Sequence, residues 1–274
     1  MKKKAILIII ICISFAMVVF FSARLIMEQA EKKRGETYYT TLPSPVIPEM
    51  RKPAQSPVPP PRASVAPQEI EETAPDPEEE EIPEAVWTPA MDFISAREEM
   101  PDLIGWILIE DTPVNYPIVQ GSDNAFYLSH LPDKESNSRG SVFLDYRIPS
   151  DFSYPNSLIY GHYSKTGDMF ATLHSYRDTA FYEEHPTYWI FTPEADYLVE
   201  IFAAYVVNSA YEVPPLTFAS DDEFYSYIAD IKNRSVFDAG VTVVAGDRLV
   251  GLATCEYTVG QRLGRLVVIG KIAD

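Results

Sequence analysis

Of the two cysteines in this 274-residue sequence, Cys12 lies within an apolar N-terminal run and Cys255 stands alone in the remainder. If that run occupies a bilayer the two cannot pair, and a leftover thiol in an exported chain is an intermolecular partner or a reactive group. Cys255 ends the apolar stretch Leu249-Val250-Gly251-Leu252-Ala253-Thr254, and Arg265 opens the next one, Arg265-Leu266-Val267-Val268-Ile269. Two strands pairing antiparallel across the Glu256 to Gly264 connection would set thiol and guanidinium together. A fixed cation beside a thiol favours the thiolate or hydrogen-bonds a developing oxyanion. His162 follows Ser157-Leu158-Ile159-Tyr160 and Gly161, on a loop at a strand end. An imidazole there can act as acid toward a leaving amine and as base toward an incoming one. Each residue alone also has an ordinary reading. A cysteine at a strand end is often a small core residue, and a loop histidine is often a surface group.

The elements that must position these groups begin near residue 91. Met91 to Met100 reads as a short helix stopped by Pro101. Short β-rich runs follow at Gly105–Ile109, Tyr116–Gln120, Ser141–Asp145 and Ser157–Tyr160, punctuated by Gly, Pro, Asn and Asp. Thr187–Phe191 and Tyr197–Val207 are expected to form a hairpin across Pro193–Asp196. A second hairpin is expected between Val241–Ala245 and Leu249–Thr254 across Gly246-Asp247, with Arg265–Ile272 as the last strand. Ser220-Asp221-Asp222-Glu223 is a capping box, and Phe224, Tyr227, Ile228 and Ile231 follow at helical spacing. Many short strands with few helices imply a mainly β fold, a closed barrel rather than a parallel α/β sheet.

Ahead of this domain, Lys2-Lys3-Lys4 precedes residues 5–23, an uncharged apolar stretch. Its length spans a hydrocarbon core of ~30 Å at 1.5 Å per residue. Phe21-Ser22-Ala23 before Arg24 is a poor cleavage site, so an uncleaved anchor is expected rather than a signal peptide. Lys2 to Lys4 favour a cytoplasmic N-terminus, although Arg24 and Lys32-Lys33-Arg34 crowd the other side. From Thr41 to Pro89 prolines recur every few residues, and four glutamates run from Glu78 to Glu81. Such a segment cannot bury a core, so residues 24–90 are expected to form a Pro/Glu-rich extracellular stalk. The division is then a cytoplasmic 1–4, an anchor 5–23, the stalk 24–90 and a catalytic domain 91–274. The net charge of −18 argues against nucleic acid as a partner.

Tyr160-Gly161-His162, then Leu252-Ala253-Thr254-Cys255, then Arg265-Leu266-Val267-Val268 resemble the sortase family, in which the chain order is His, Cys, Arg. The family has a Thr-Leu-x-Thr sequence before its cysteine; here Gly251 stands in place of the first Thr. The likeness is to class B, through the N-terminal helix, Gly105-Trp106, Tyr116-Pro117-Ile118-Val119-Gln120 and a helix inserted before the cysteine hairpin. It implies a closed sortase-type β-barrel and a membrane-anchored cysteine transpeptidase needing no metal or organic cofactor. By resemblance Cys255 is the nucleophile, His162 the general acid and base, and Arg265 the group that positions substrate and stabilises the oxyanion. The implied partners are surface proteins with a C-terminal sorting signal cleaved after Thr, and a peptidoglycan precursor or cross-bridge amine. Asn124 and Leu128 match a segment that lines the substrate groove in class B enzymes, with core packing an equal reading of Leu128. Thr254 and Glu256, flanking the nucleophile, are further substrate-binding candidates. Arg262 also lies near the cysteine but does not begin a strand. His130, His174 and His185 lack metal-ligand spacing and read as structural or exposed. Competing readings are a pilin-polymerising transpeptidase, a papain-like hydrolase (whose Cys precedes its His) and a non-catalytic stalked β-domain for adhesion or scaffolding.

Overall fold

The structure, a computed structural model, describes residues 2–45, 89–164, 166–208, 212–256 and 264–273, with backbone alone at 2–12, 255 and 256. Eight strands close into a barrel in the order β1 (Leu103–Leu108), β2 (Asn115–Val119), β3 (Val142–Leu144), β4 (Asn156–Tyr160), β7 (Leu249–Glu256), β8 (Gly264–Ile272), β6 (Asp196–Asn208) and β5 (Thr187–Phe191). β5 returns to pair with β1, so every strand has two neighbours. The β2–β3 and β4–β7 pairs are parallel and the remaining pairs antiparallel. Closure leaves no open edge to recruit another chain.

Alternation along the strands sorts side chains into two layers. Val250 and Leu252 of β7, with Leu266 and Val268 of β8, fill the barrel among Ile107, Ile118, Tyr188 and Ile201. Their neighbours Leu249, Ala253, Val267 and Ile269 face outward and are covered by Phe224, Ile228 and Ile231 of α4 (Asp221–Arg234). The capping box forms with one change. Ser220 Oγ accepts from the Glu223 amide at 3.3 Å, whereas Glu223 Oε2 accepts from the Ala219 amide at 2.6 Å, one residue before the cap. α2 (Phe93–Glu99) is capped by Asp92 and lays Phe93 beside Trp106, Trp189 and Phe191. Among the described residues, the 3-10 segment Phe126–Leu128 lies between β2 and β3, and the 3-10 segment Phe170–Arg177 with α3 (Thr179–Glu184) lies between β4 and β5.

Two expectations differ from what is observed. Val241–Ala245 forms no strand beside β7, because both edges of β7 are taken by β4 and β8. It lies instead on α4, with Val243 buried, Lys232 Nζ donating to the Val241 carbonyl at 2.6 Å and Tyr225 OH accepting from the Ala245 amide at 3.2 Å. Second, the N-terminal helix α1 (Lys2–Thr41) runs unbroken past residue 23, so residues 24–41 are helical where extended stalk was expected. Residues 13–29 are exposed along this helix and residues 46–88 lie outside the described set.

β6 and β8 approach each other closely at Gly270. A Cβ on Gly270 would lie 2.5 Å from the Glu200 carbonyl oxygen and 2.6 Å from Val199 Cγ1. Backbone cannot swing aside as a side-chain tip can, so Gly270→Ala is expected to cost ~1–3 kcal/mol by overpacking, read as a lower urea midpoint. An unchanged midpoint would show that the strands part without cost.

Candidate active site

The strand pairing decides which residues meet. In the parallel β4–β7 pair, Tyr160 is opposite Ala253, and the Gly161 amide extends the ladder by donating to the Ala253 carbonyl at 3.1 Å. His162 and Cys255 each lie two residues further on, at the same end of neighbouring strands, which run ~4.8 Å apart. In the antiparallel β7–β8 pair, Cys255 is the register partner of Arg265. Two pairings of one strand thus bring three residues, spread from position 162 to position 265 of the sequence, to one end of the barrel. Arg262 and the rest of the connection between β7 and β8 lie outside the described residues, as does the Glu256 side chain.

His162 is held on several sides. Its Nε2 lies 2.6 Å from the Leu128 carbonyl, which can only accept, so Nε2 is the donor. Its own carbonyl accepts from the Phe170 amide at 3.0 Å. Two glycines allow close packing around it. A Cβ on Gly161 would lie 2.6 Å from the Phe170 ring, and one on Gly140 (φ +64°) 2.9 Å from His162 Cδ2. Arg265 is the second residue of β8, in the same outward set as Val267 and Ile269, half-buried, with one guanidinium nitrogen donating to the Gly264 carbonyl at 3.1 Å.

A groove of about 250 Å³ joins His162 and Arg265. Leu158, Val207, Ala253 and Val267 give it an apolar floor, and Leu128, Asn124 and Thr254 line it. Leu128 is 45% exposed, so its core reading does not hold. Thr254 is buried, and its Oγ1 has no hydrogen-bond partner among the described residues. Asn124 is fixed at both ends of its amide: Nδ2 donates to Asp145 Oδ2 and Oδ1 accepts from the Tyr146 amide, each at 3.0 Å. His130 stacks on Phe126, His174 packs edge-on against Tyr163, and His185 packs on Phe181.

Two features of the groove escaped sequence reasoning. One is Asp145, fully buried at the end of β3. It accepts from Arg147 Nε at 2.9 Å and a terminal Arg147 nitrogen at 2.7 Å, from Asn124, and from Tyr160 OH at 3.2 Å. The available signal was an acid directly after an apolar strand with an arginine two residues on, a pattern too common to single out. The other is Glu212, in the wall with Val213 and Pro214. It is pinned by Arg234 at the end of α4 at 2.6 Å, and the same guanidinium donates to the Val206 carbonyl.

Burial alone would raise the Asp145 pKa, but the side-chain and backbone hydrogen bonds from Arg147, then that from Asn124, outweigh it and hold the carboxyl below its usual range. A depressed folded pKa stabilises fully above the unfolded value of about 3.9, and that stability is lost as pH falls through the folded value. Asp145→Asn is therefore expected to lower the thermal midpoint at pH 7, with the gap from the parent narrowing below about pH 4. A gap independent of pH would place the effect in packing rather than charge.

No protein-family model matches the chain. It is 38% identical over 171 residues to Sortase B of Listeria monocytogenes, covering 62% of this chain and 70% of that protein. To Sortase B of Staphylococcus aureus it is 31% identical over 180 residues, covering 66% and 74%. Among solved structures, the Staphylococcus aureus sortase B–substrate complex superposes with a TM-score of 0.62 at 30% identity, over 66% of this chain and 83% of that one. A sortase B complexed with triglycine gives 0.61 at 30% identity, over 66% and 84%. Identity at this level over more than two thirds of each relative places the chain in the sortase family of cysteine transpeptidases, in its class B.

Proposed function

We propose that this sortase is held in the membrane by residues 5–23 with its catalytic domain outside the cell, and that it joins surface proteins to a cell-wall amine. The observation that carries the reading of the site is the double register of β7, with Tyr160 opposite Ala253 and Arg265 opposite Cys255. The Cys255 thiolate attacks the Thr carbonyl of a C-terminal sorting signal, and the electron pair moves onto the carbonyl oxygen. Arg265 hydrogen-bonds that oxyanion, a contribution on the order of 3 kcal/mol in comparable sites. As the oxyanion collapses, the C–N bond breaks and His162 gives its proton to the departing amine, leaving a thioester. An incoming amine then adds to the thioester while His162 takes its proton, and the thiolate leaves. A peptide amine as acceptor is in keeping with the relative complexed with triglycine. Asn124, Leu128 and Thr254 lie along the groove where the signal would bind, with Glu256 beside the nucleophile.

Incubating the protein with sorting-signal peptides containing Thr-Gly or Thr-Asn is expected to add the acyl fragment to Cys255, seen by mass spectrometry and released by hydroxylamine. No adduct from any member of a broad peptide library would count against acyl transfer. Arg265→Lys is expected to lose most turnover, because an ammonium cannot reproduce the planar fork, whereas Arg262→Lys keeps it. Equal losses would remove the assignment of the arginine.

A further inference from the structure

The C-terminal part of α1 lies against the barrel domain through contacts that only a closely seated helix can make. Gly35 is buried, and a Cβ on it would lie 2.8 Å from Asn137 Oδ1. A mid-helix glycine is destabilising relative to alanine, and here it lets the helix backbone touch a side chain. Asn137 is 1% exposed; it donates from Nδ2 to the Glu31 carbonyl at 2.8 Å and accepts the Arg139 amide at 3.0 Å. Glu31 Oε1 accepts from the Ser138 amide at 2.6 Å, and Arg34 pairs with Glu135 at 3.0 Å. One turn beyond Gly35, Tyr39 OH donates to the Gly140 carbonyl at 2.6 Å, and its ring stands edge-on to Tyr116.

The segment so engaged is the back of the seat that holds His162. It begins at Leu128, whose carbonyl takes the Nε2 proton, and ends at Gly140, whose missing Cβ leaves space for Cδ2. The helix therefore braces residues 137–140, which lead into that seat. The path of the chain adds a second point. Leu42, just after α1, packs in the same apolar cluster as Ala90 and Met91, just before α2. Both ends of the intervening Pro/Glu-rich stretch are thus fastened to one place on the domain.

We infer that Glu31, Gly35 and Tyr39 are positioning residues for His162, and that α1 rather than the Pro/Glu-rich stretch sets the height of the active site above the membrane. The first part rests on the acid–base assignment of His162 and the second on the anchor at residues 5–23. From residue 24 to its contact with the domain at Glu31 the helix supplies ~10 Å at 1.5 Å per residue.

The test uses the full chain. In detergent micelles, Tyr39→Phe and Glu31→Ala are each expected to slow thioester formation about tenfold, mainly in kcat, as for a sub-ångström displacement of a catalytic group. Both should also shift the limb of the pH–rate profile set by His162. Glu31→Gln keeps an acceptor for the Ser138 amide and should stay near the parent. Lower melting temperatures with an unmoved pH profile would overturn the positioning role. His162→Ala serves as the reference: activity retained there refutes the acid–base assignment, whereas faster hydrogen exchange at Ser138 in Glu31→Ala still reports the brace. In phosphatidylcholine vesicles, replacing residues 46–88 by a Gly/Ser linker of about twelve residues should leave energy transfer from the domain to labelled headgroups unchanged. A changed transfer would show that the stretch is the tether. A chain that does not float with the vesicles refutes the anchor and leaves the micelle result standing.

Discussion

The site depends on β7 having both of its edges occupied, by a parallel neighbour on one side and an antiparallel neighbour on the other. A residue near the end of β7 is then level with the end of β4 and with the start of β8. A slip of one residue in either pairing would move every side chain of the slipped strand to the other face. The alternation of Leu249, Val250, Gly251, Leu252 and Ala253 between the α4 layer and the barrel interior opposes such a slip, since it would bury and expose the wrong set. Register, fixed by hydrophobic burial along the strand, thereby sets the placement of Cys255 at its end.

Around that end the structure spends polar groups on orientation. The Leu128 carbonyl sets the proton-bearing nitrogen of His162. Asp145 turns Asn124 and Tyr160, using a buried charge that Arg147 compensates. Arg234 ties the Glu212 wall to α4. Each of these acts through a neighbour rather than on substrate, and each lies behind a groove whose floor is apolar. Polar groups fixed in advance need not reorganise when charge develops, which is where such sites gain most of their effect.

The antiparallel meeting of Cys255 and Arg265 was legible in sequence because both lie at facing ends of apolar runs joined by one short connection. His162 was legible as a strand-end imidazole, but not its neighbour: the parallel β4–β7 pairing crosses nearly ninety residues, and no local pattern encodes it. The same non-locality misled the expectation for Val241–Ala245. Its apolar alternation suits a strand, yet α4 offered it a surface and β7 had no edge to give. Residues 24–41 were read with the Pro-rich stretch that follows. Gly35, which looks like a helix breaker, is instead the place where the helix touches Asn137. Asp145 stayed hidden because its partners come from three separate segments of chain.

The central claim is that His162, Cys255 and Arg265 form one coupled site, and the titration of the Cys255 thiol tests it most directly. Its alkylation rate can be followed against pH in a Cys12→Ser background, alone and with His162→Gln or Arg265→Gln. A neighbouring charge or hydrogen-bond partner shifts a thiol's titration, so the curve is expected to move in both variants. Three superimposable curves would contradict the coupling and, with it, the placement of the three residues at one end of the barrel.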